Sequence, residues 1–215
     1  VVDPGDNWTV EFWWRPASNS NQYFAHTGGY STNDFQWRWT GSSFEIYSGG
    51  EGSSITGAGN GVTANTWYHL ALVRDSGTIT LYQDGDSVGS ITETNGDNGY
   101  GNSNAKLTFG ALSSTGSSAS EMYLQGLRIS KVARYTREGF KPADSQHTND
   151  DDTLLLFHGF GHLYSTHFRD DNGAKTTNYR ADSYDSYLKL AVPFDDANGV
   201  NDVAYQLTGT GLSGA

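Results

Sequence analysis

The sequence predicts an all-β sandwich or jelly roll, and three observations carry that expectation. Apolar and polar residues alternate with period two along several short segments, the spacing that gives a strand one apolar and one polar face. Twenty-seven glycines are spread between those segments, as tight turns between short strands require. No long stretch repeats with helical period; the best helical candidate is a short turn within Lys131–Arg137.

Trp8–Arg15 opens the series. Val10, Phe12 and Trp14 share one face, Thr9, Glu11, Trp13 and Arg15 the other, and Pro16 ends the strand. Phe35–Thr40 places Phe35, Trp37 and Trp39 together, and Phe44–Tyr47 pairs with it across Gly41-Ser42-Ser43. Trp67–Arg74 is apolar at nearly every position, as expected of a central strand covered on both faces. Asp75-Ser76-Gly77 turns the chain into Thr78–Gln83. Asp84-Gly85 then turns it into Ser87–Ile91, glycine supplying the positive φ a tight hairpin needs. Thr92–Asn104 reads as a long surface loop, and Lys106–Ala111 and Glu121–Ile129 as two more strands.

The texture changes after Pro142. Residues 1–143 form the predicted sandwich, 144–153 an acidic linker, and 154–215 an extension or the start of a further module of the same kind. Leu154–Phe157 and Tyr187–Phe194 are both apolar runs followed by polar, Asn-Gly-containing turns, too short a likeness for a repeat. Val1–Asp6 has the features of neither a signal peptide nor an initiator, so the sequence is expected to begin inside a longer or processed chain.

Bulk properties narrow the function. The net charge of −11 repels phosphate backbones and anionic bilayers, which argues against nucleic-acid binding and membrane adhesion, and no apolar run approaches the length of a membrane-spanning helix. The absence of cysteine excludes disulfides, zinc-thiolate sites and cysteine nucleophiles. Aromatic residues make up 13% of the chain, enough to build a core with little aliphatic content.

Three ordered blocks carry a family resemblance. Thr9–Pro16 resembles the early strand of laminin-G-like domains of the concanavalin A-like lectin/glucanase superfamily. Trp67–Arg74 with Leu81–Gly85 resembles the family's central hairpin. Tyr123–Ser130 with Val132–Thr136 and Phe140–Pro142 resembles its closing strand and tail, in the version found in bacteriophage fibre and other virion structural proteins, often marine. The resemblance covers residues 4–143. It implies a laminin-G-like jelly-roll β-sandwich of two antiparallel sheets with a C-terminal β-rich extension. It also implies a place at the virion surface, outside the cell, among other virion subunits and in a homo-oligomer.

Catalytic motifs are missing. Related glycosidases carry paired carboxylates on one strand, whereas Glu11 and Glu45 each stand alone and read as outward strand carboxylates. His158, His162 and His167 have spacings that converge ligands only on a helix, and their segment reads as strand and loop. His69 sits in an apolar strand and reads as a hydrogen-bonded core residue. The chain is therefore expected not to be an enzyme. Calcium fits the acidic loops better, with Asp84, Asp86, Asp97, Asp170 and Asp171 as candidate ligands; turn chemistry explains the same residues. A sugar would stack on an aromatic face beside polar groups, and Tyr30, Trp37, Arg38, Trp39 and Tyr100 are the candidates, with core burial the competing role for Trp37 and Trp39. Trp13, opposite the Val10–Phe12–Trp14 face, meets a ligand, a second layer or another chain. The function expected is binding of host or environmental glycans by a virion module, the alternative a module that only holds subunits together, and the third a glycoside hydrolase.

Overall fold

A computed structural model of the chain describes residues 6–27, 35–47, 55, 61–92, 106–110, 122–137, 139–143 and 146–157, and three short strands beyond them. In chain order the strands are β1 (Trp8–Pro16), β2 (Gln22–Thr27), β3 (Gln36–Trp39), β4 (Phe44–Tyr47), β5 (Tyr68–Asp75), β6 (Thr78–Gln83), β7 (Asp86–Thr92), β8 (Lys106–Phe109), β9 (Met122–Ser130), β10 (Thr153–Phe157), β11 (His167–Phe168), β12 (Thr177–Asn178) and β13 (Leu190–Pro193). They form a six-stranded sheet, β10-β9-β1-β5-β6-β7, a five-stranded sheet, β13-β8-β2-β3-β4, and the separate pair β11-β12, all antiparallel. No helix occurs among the described residues, and 131–137 runs as irregular chain rather than the helical turn expected there.

The two hairpin turns of the six-stranded sheet follow from local chemistry. Ser76 and Gly77, then Asp84 and Gly85, all have positive φ, the type I′ pattern that matches strand twist. Asp84 adds a clasp: its Oδ1 accepts the His69 N–H at 2.8 Å, while its own N–H donates to the His69 carbonyl. Gly85 also has a tertiary role. A Cβ there would lie 1.7 Å from the Phe140 carbonyl oxygen, because the segment after β9 is laid directly across this turn.

The core is aromatic. Phe12 and Trp14 from β1 meet Phe24, Trp37, Trp39 and Phe44 from the facing sheet, with ring centroids such as Phe12–Trp37 at 5.0 Å and Trp39–Phe44 at 4.8 Å. Each ring buried there is worth about 2–3 kcal/mol relative to exposure. The indole N–H of Trp14 donates to Gln22 Oε1 at 2.9 Å, so that a polar atom inside the core is satisfied. Strand β2, not anticipated from the sequence, is buried from Gln22 to His26 without alternation, which removes the period-two signal.

One expectation about the C-terminal part changes. The 144–153 stretch, expected as a linker, is held to the sandwich at several points: His147 is buried, the Asp152 carbonyl accepts the Lys131 N–H, and Asp150 accepts from both terminal nitrogens of Arg134. That contact with Arg134 holds the Asp150 carboxyl well below its ordinary range. Strands β10 and β13 match the extension named as one of the two alternatives for 154–215. Each adds an edge strand to the sandwich, on opposite sheets.

The six-stranded sheet is thereby covered on both faces. Its inner face packs on the five-stranded sheet, and its outer face carries a second small apolar cluster, Ala71, Val73 and Tyr82, roofed by Ala133, Tyr135 and Phe140. Tyr135 and Phe140 stack in parallel with centroids 3.7 Å apart. The roof is partial, and the site lies beside it.

Candidate functional site

The outer side chains of β1 are Thr9, Glu11, Trp13 and Arg15, the alternation read from the sequence. Strand β9 lies antiparallel to β1, with a register shift between Glu11 and Trp13: Glu11 faces Arg128, and Trp13 faces Gln125. One extra residue on β9 absorbs the shift, and Gly126 there takes φ +64°. Without this bulge Arg128 and Gln125, three residues apart, would point to opposite faces. With it Arg128, Gln125 and Tyr123 all serve the outer face while Leu127 and Ile129 stay in the core.

Below the bulge lies a buried ion-pair cluster. Glu11 is fully buried, not the outward carboxylate expected from its isolation in sequence. Arg128 Nε donates to its Oε1 at 2.8 Å and Nη2 approaches the same atom at 2.6 Å. Tyr135 Oη donates to Oε2 at 2.6 Å, His69 Nε2 lies 3.2 Å from Oε2, and His147 Nε2 stands 3.6 Å away. Burial pushes the Glu11 carboxyl up, and the His69, His147, Arg128 and Tyr135 contacts together outweigh it, bringing the group down to about 2. Burial, with the Glu11 charge beside it, pushes the Tyr135 hydroxyl up.

Glu11, His69 and His147 bring one oxygen and two imidazole nitrogens within 4.8 Å of one another, the spacing of a transition-metal site. The donor set does not fit a metal. Both carboxylate oxygens already accept from protein donors, and the Arg128 charge lies where it would repel a dication. Calcium, which takes six to eight oxygens, fits still less. The cluster is a clasp that ties the segment after β9 to β1 and β5, and His69 is the hydrogen-bonded core residue its sequence context indicated.

Above the bulge the outer face opens into a pocket of about 330 Å³ lined by Trp13, Trp67, Gln125, Gly126, Ala143, Gln146 and His147. Trp13 and Trp67 supply aromatic walls, and Gln125 and Gln146 supply amides. Gly126 and Ala143 keep space open. Trp67 is 39% exposed and Tyr123 44%, the two large hydrophobic residues most open to water among the described residues. Arg15 lies between them, its guanidinium carbon 3.9 Å from the Tyr123 ring centroid and 5.5 Å from that of Trp67.

The sequence candidates are placed elsewhere. Trp37 is 0% and Trp39 2% exposed, because the strand face they share with Phe35 turns into the core; neither offers a ring to a ligand, and both are corrected here as sugar-stacking residues. Arg38 pairs with Glu45, its Nε donating to Oε2 at 2.8 Å, on the far sheet. Asp84 clasps its hairpin and Asp86 is exposed beside it. Tyr30, Tyr100, Asp97, Asp170 and Asp171 lie outside the described residues. Of the pocket, Trp13 alone carried a legible signal, an aromatic on the wrong face of its strand. Gly126 inside an apolar strand is a bulge signal that went unread. Gln125, Gln146 and Ala143 carry no signal at all.

Residues 1–138 match the model of a laminin G family of the concanavalin A-like lectin/glucanases superfamily. No curated protein matches the chain. Among solved structures, a candidate carbohydrate-binding protein from Bacteroides ovatus ATCC 8483 is similar at 17% identity and TM-score 0.56, covering 80% of this chain and 51% of that one. The chain thus spans about half the length of that protein, and at this identity the likeness is one of fold. Domains LG4-5 of the mouse laminin alpha1 chain are similar at 13% identity and TM-score 0.45, over 67% of this chain and 44% of that one. The native heptameric SAP-like pentraxin from Limulus polyphemus is similar at 14% identity and TM-score 0.45, over 72% and 81%. With residues 1–138, more than half of the chain, matched to the family model and two antiparallel sheets in a laminin-G-like jelly roll, this chain belongs to the concanavalin A-like lectin/glucanases superfamily.

Proposed function

We propose that this chain is a non-catalytic glycan-binding module of a virion surface protein, of the tail-fibre, head-fibre or capsid-decoration kind, acting outside the cell in a homo-oligomer. The observation that carries the binding reading is the half-open pocket walled by Trp13 and Trp67 and flanked by Gln125 and Gln146. Aromatic walls take the C–H face of a pyranose, and amides, with both donors and acceptors, take its hydroxyls. The shared fold with a candidate carbohydrate-binding protein supports the same reading. The virion setting rests on the resemblance of the Tyr123–Pro142 segment to phage structural proteins.

The non-catalytic part follows from charge. Glycoside hydrolysis uses two carboxyl groups about 5–10 Å apart, one of them protonated. Among the described residues no carboxylate lines the pocket. Glu11, behind His147, is held ionised by Arg128 and its other partners down to about pH 2, so it has no proton to give at neutral pH.

The test is a glycan array probed with the recombinant chain, in calcium and then in EDTA, beside Trp67→Ala. Selective binding that Trp67→Ala abolishes is expected. Loss in EDTA assigns calcium a part, with the Asp84–Asp86 turn and the acidic loops as the first places to mutate; survival in EDTA leaves the pocket and removes the metal. No binding by a chain whose near-ultraviolet circular dichroism shows it folded ends the reading. A second reading, a module that only cements subunits, is favoured by the exposure of Trp67 and Tyr123 on one surface. It predicts an oligomer in sedimentation that Tyr123→Ala dissociates, with no glycan bound.

A further inference from the structure

We infer that the pocket selects an acidic sugar, a pyranose bearing a carboxylate, and that Arg15 is the residue that reads the charge. The inference rests on the glycan-binding reading above and deepens it.

Arg15 makes no hydrogen bond or ion pair with any described residue. Its Nε is buried without a partner, and its only polar-range contacts are the faces of Tyr123 and Trp67. The other described arginines that are buried or half-buried all have a protein acceptor: Arg38 pairs with Glu45, Arg128 with Glu11 and Arg134 with Asp150, and Arg74 donates to the Asp6 carbonyl. The charge of Arg15 is left for something that is not described protein. Stacking on Tyr123, its direct cross-strand partner, fixes the guanidinium plane, so little freedom is lost when a ligand engages it.

Position supplies the rest. Trp67 lies between the pocket and Arg15: it lines the one and stacks near the other. A sugar ring laid on Trp67 projects its exocyclic group past the rim of the indole, within reach of a guanidinium centred 5.5 Å from that ring. The charges behind the pocket do not oppose an anion. Glu11, the carboxylate behind His147, is compensated by Arg128, and none of the described lining residues is acidic. On a chain of net charge −11 this is a local exception, and an anionic sugar binding here would be steered away from most of the remaining surface.

The test compares charged and uncharged versions of the same sugar. Oligogalacturonates, hyaluronan oligomers and sialyllactose are titrated into the full chain beside their carboxyl methyl esters, following the indole N–H resonances of Trp13 and Trp67. At least one acid is expected to bind about tenfold more tightly than its ester, the size of one charge-assisted pair at a half-exposed site. Arg15→Gln, which keeps most of the stem, is expected to remove that difference, so that acid and ester bind alike; Arg15→Lys is expected to keep part of it. The preference is also expected to shrink in salt. Equal binding of acid and ester, or an acid preference that survives Arg15→Gln, overturns the inference and leaves the glycan pocket standing. Absence of any saccharide response overturns both.

Discussion

Each outer face of the sandwich carries an arginine set between two aromatic rings, and the two are used differently. On the five-stranded sheet the Arg38 guanidinium lies 5.9 Å from the ring centroids of both Tyr23 and Tyr47, and Glu45 takes its charge. On the six-stranded sheet Arg15 lies between Tyr123 and Trp67 and no described carboxylate reaches it. The cause is register. Glu45 is the direct cross-strand partner of Arg38, whereas the partner of Arg15 is Tyr123. A pair directly opposed across antiparallel strands is close enough to neutralise itself, so the first arginine closes its own surface. The second leaves a charge beside an open pocket. The same residue types in the same surroundings thus give a structural contact in one place and a binding group in the other, and the difference is one cross-strand neighbour.

That comparison can be broken in steps of decreasing size. The largest effect is expected deeper on the six-stranded sheet, at Glu11. Glu11→Gln leaves Arg128 buried without its counter-charge and is expected to cost about 3–5 kcal/mol in urea unfolding. Acid does the same reversibly. The Glu11 carboxyl titrates at about 2 when folded and near 4.5 in the reference state, so its contribution is complete above pH 4.5 and is lost as pH falls through about 2. Wild-type stability measured between pH 6 and pH 2 is expected to fall by about 3 kcal/mol from this group, and Glu11→Gln to flatten that part of the slope.

Smaller effects separate the two outer arginines. Glu45→Gln breaks a partly exposed pair and is expected to cost about 1 kcal/mol or less in thermal unfolding. It leaves Arg38 resembling Arg15 in charge but on the far sheet from the Trp13–Trp67 pocket, so no sugar binding is expected to appear on that face. Arg15→Gln removes no described counter-ion and is expected to change stability by under about 0.5 kcal/mol while changing acid-sugar affinity. If Arg15→Gln destabilised the chain as much as Glu11→Gln, the contrast between a closing and an open arginine would fail.

The legibility of these regions in sequence differs for the same reason. The face alternation of β1 was readable, because period two is a local property, and the turns at Ser76-Gly77 and Asp84-Gly85 were readable because positive φ is local too. Glu11 is not legible in the same way: a lone carboxylate on a strand looks solvated until Arg128, Tyr135 and His147, more than a hundred residues later, are folded onto it. Trp37 and Trp39 resemble sugar platforms in sequence because aromatic residues beside polar loops look alike whether they face water or a second sheet.

The sequence by itself determined the architecture of this protein: an all-β chain, the faces of β1, the central position of β5, and a family whose members share the sandwich. Tertiary structure alone decided the site. The pocket draws on β1, β9, the residue before β5 and the segment expected as a linker, and it faces outward with the needed side chains only because the Gly126 bulge shifts the register of β9 by one residue. Local chemistry sets which side of a strand a residue occupies. What stands opposite it, and so whether its charge or its ring is already taken, is fixed by pairings between residues far apart in the chain.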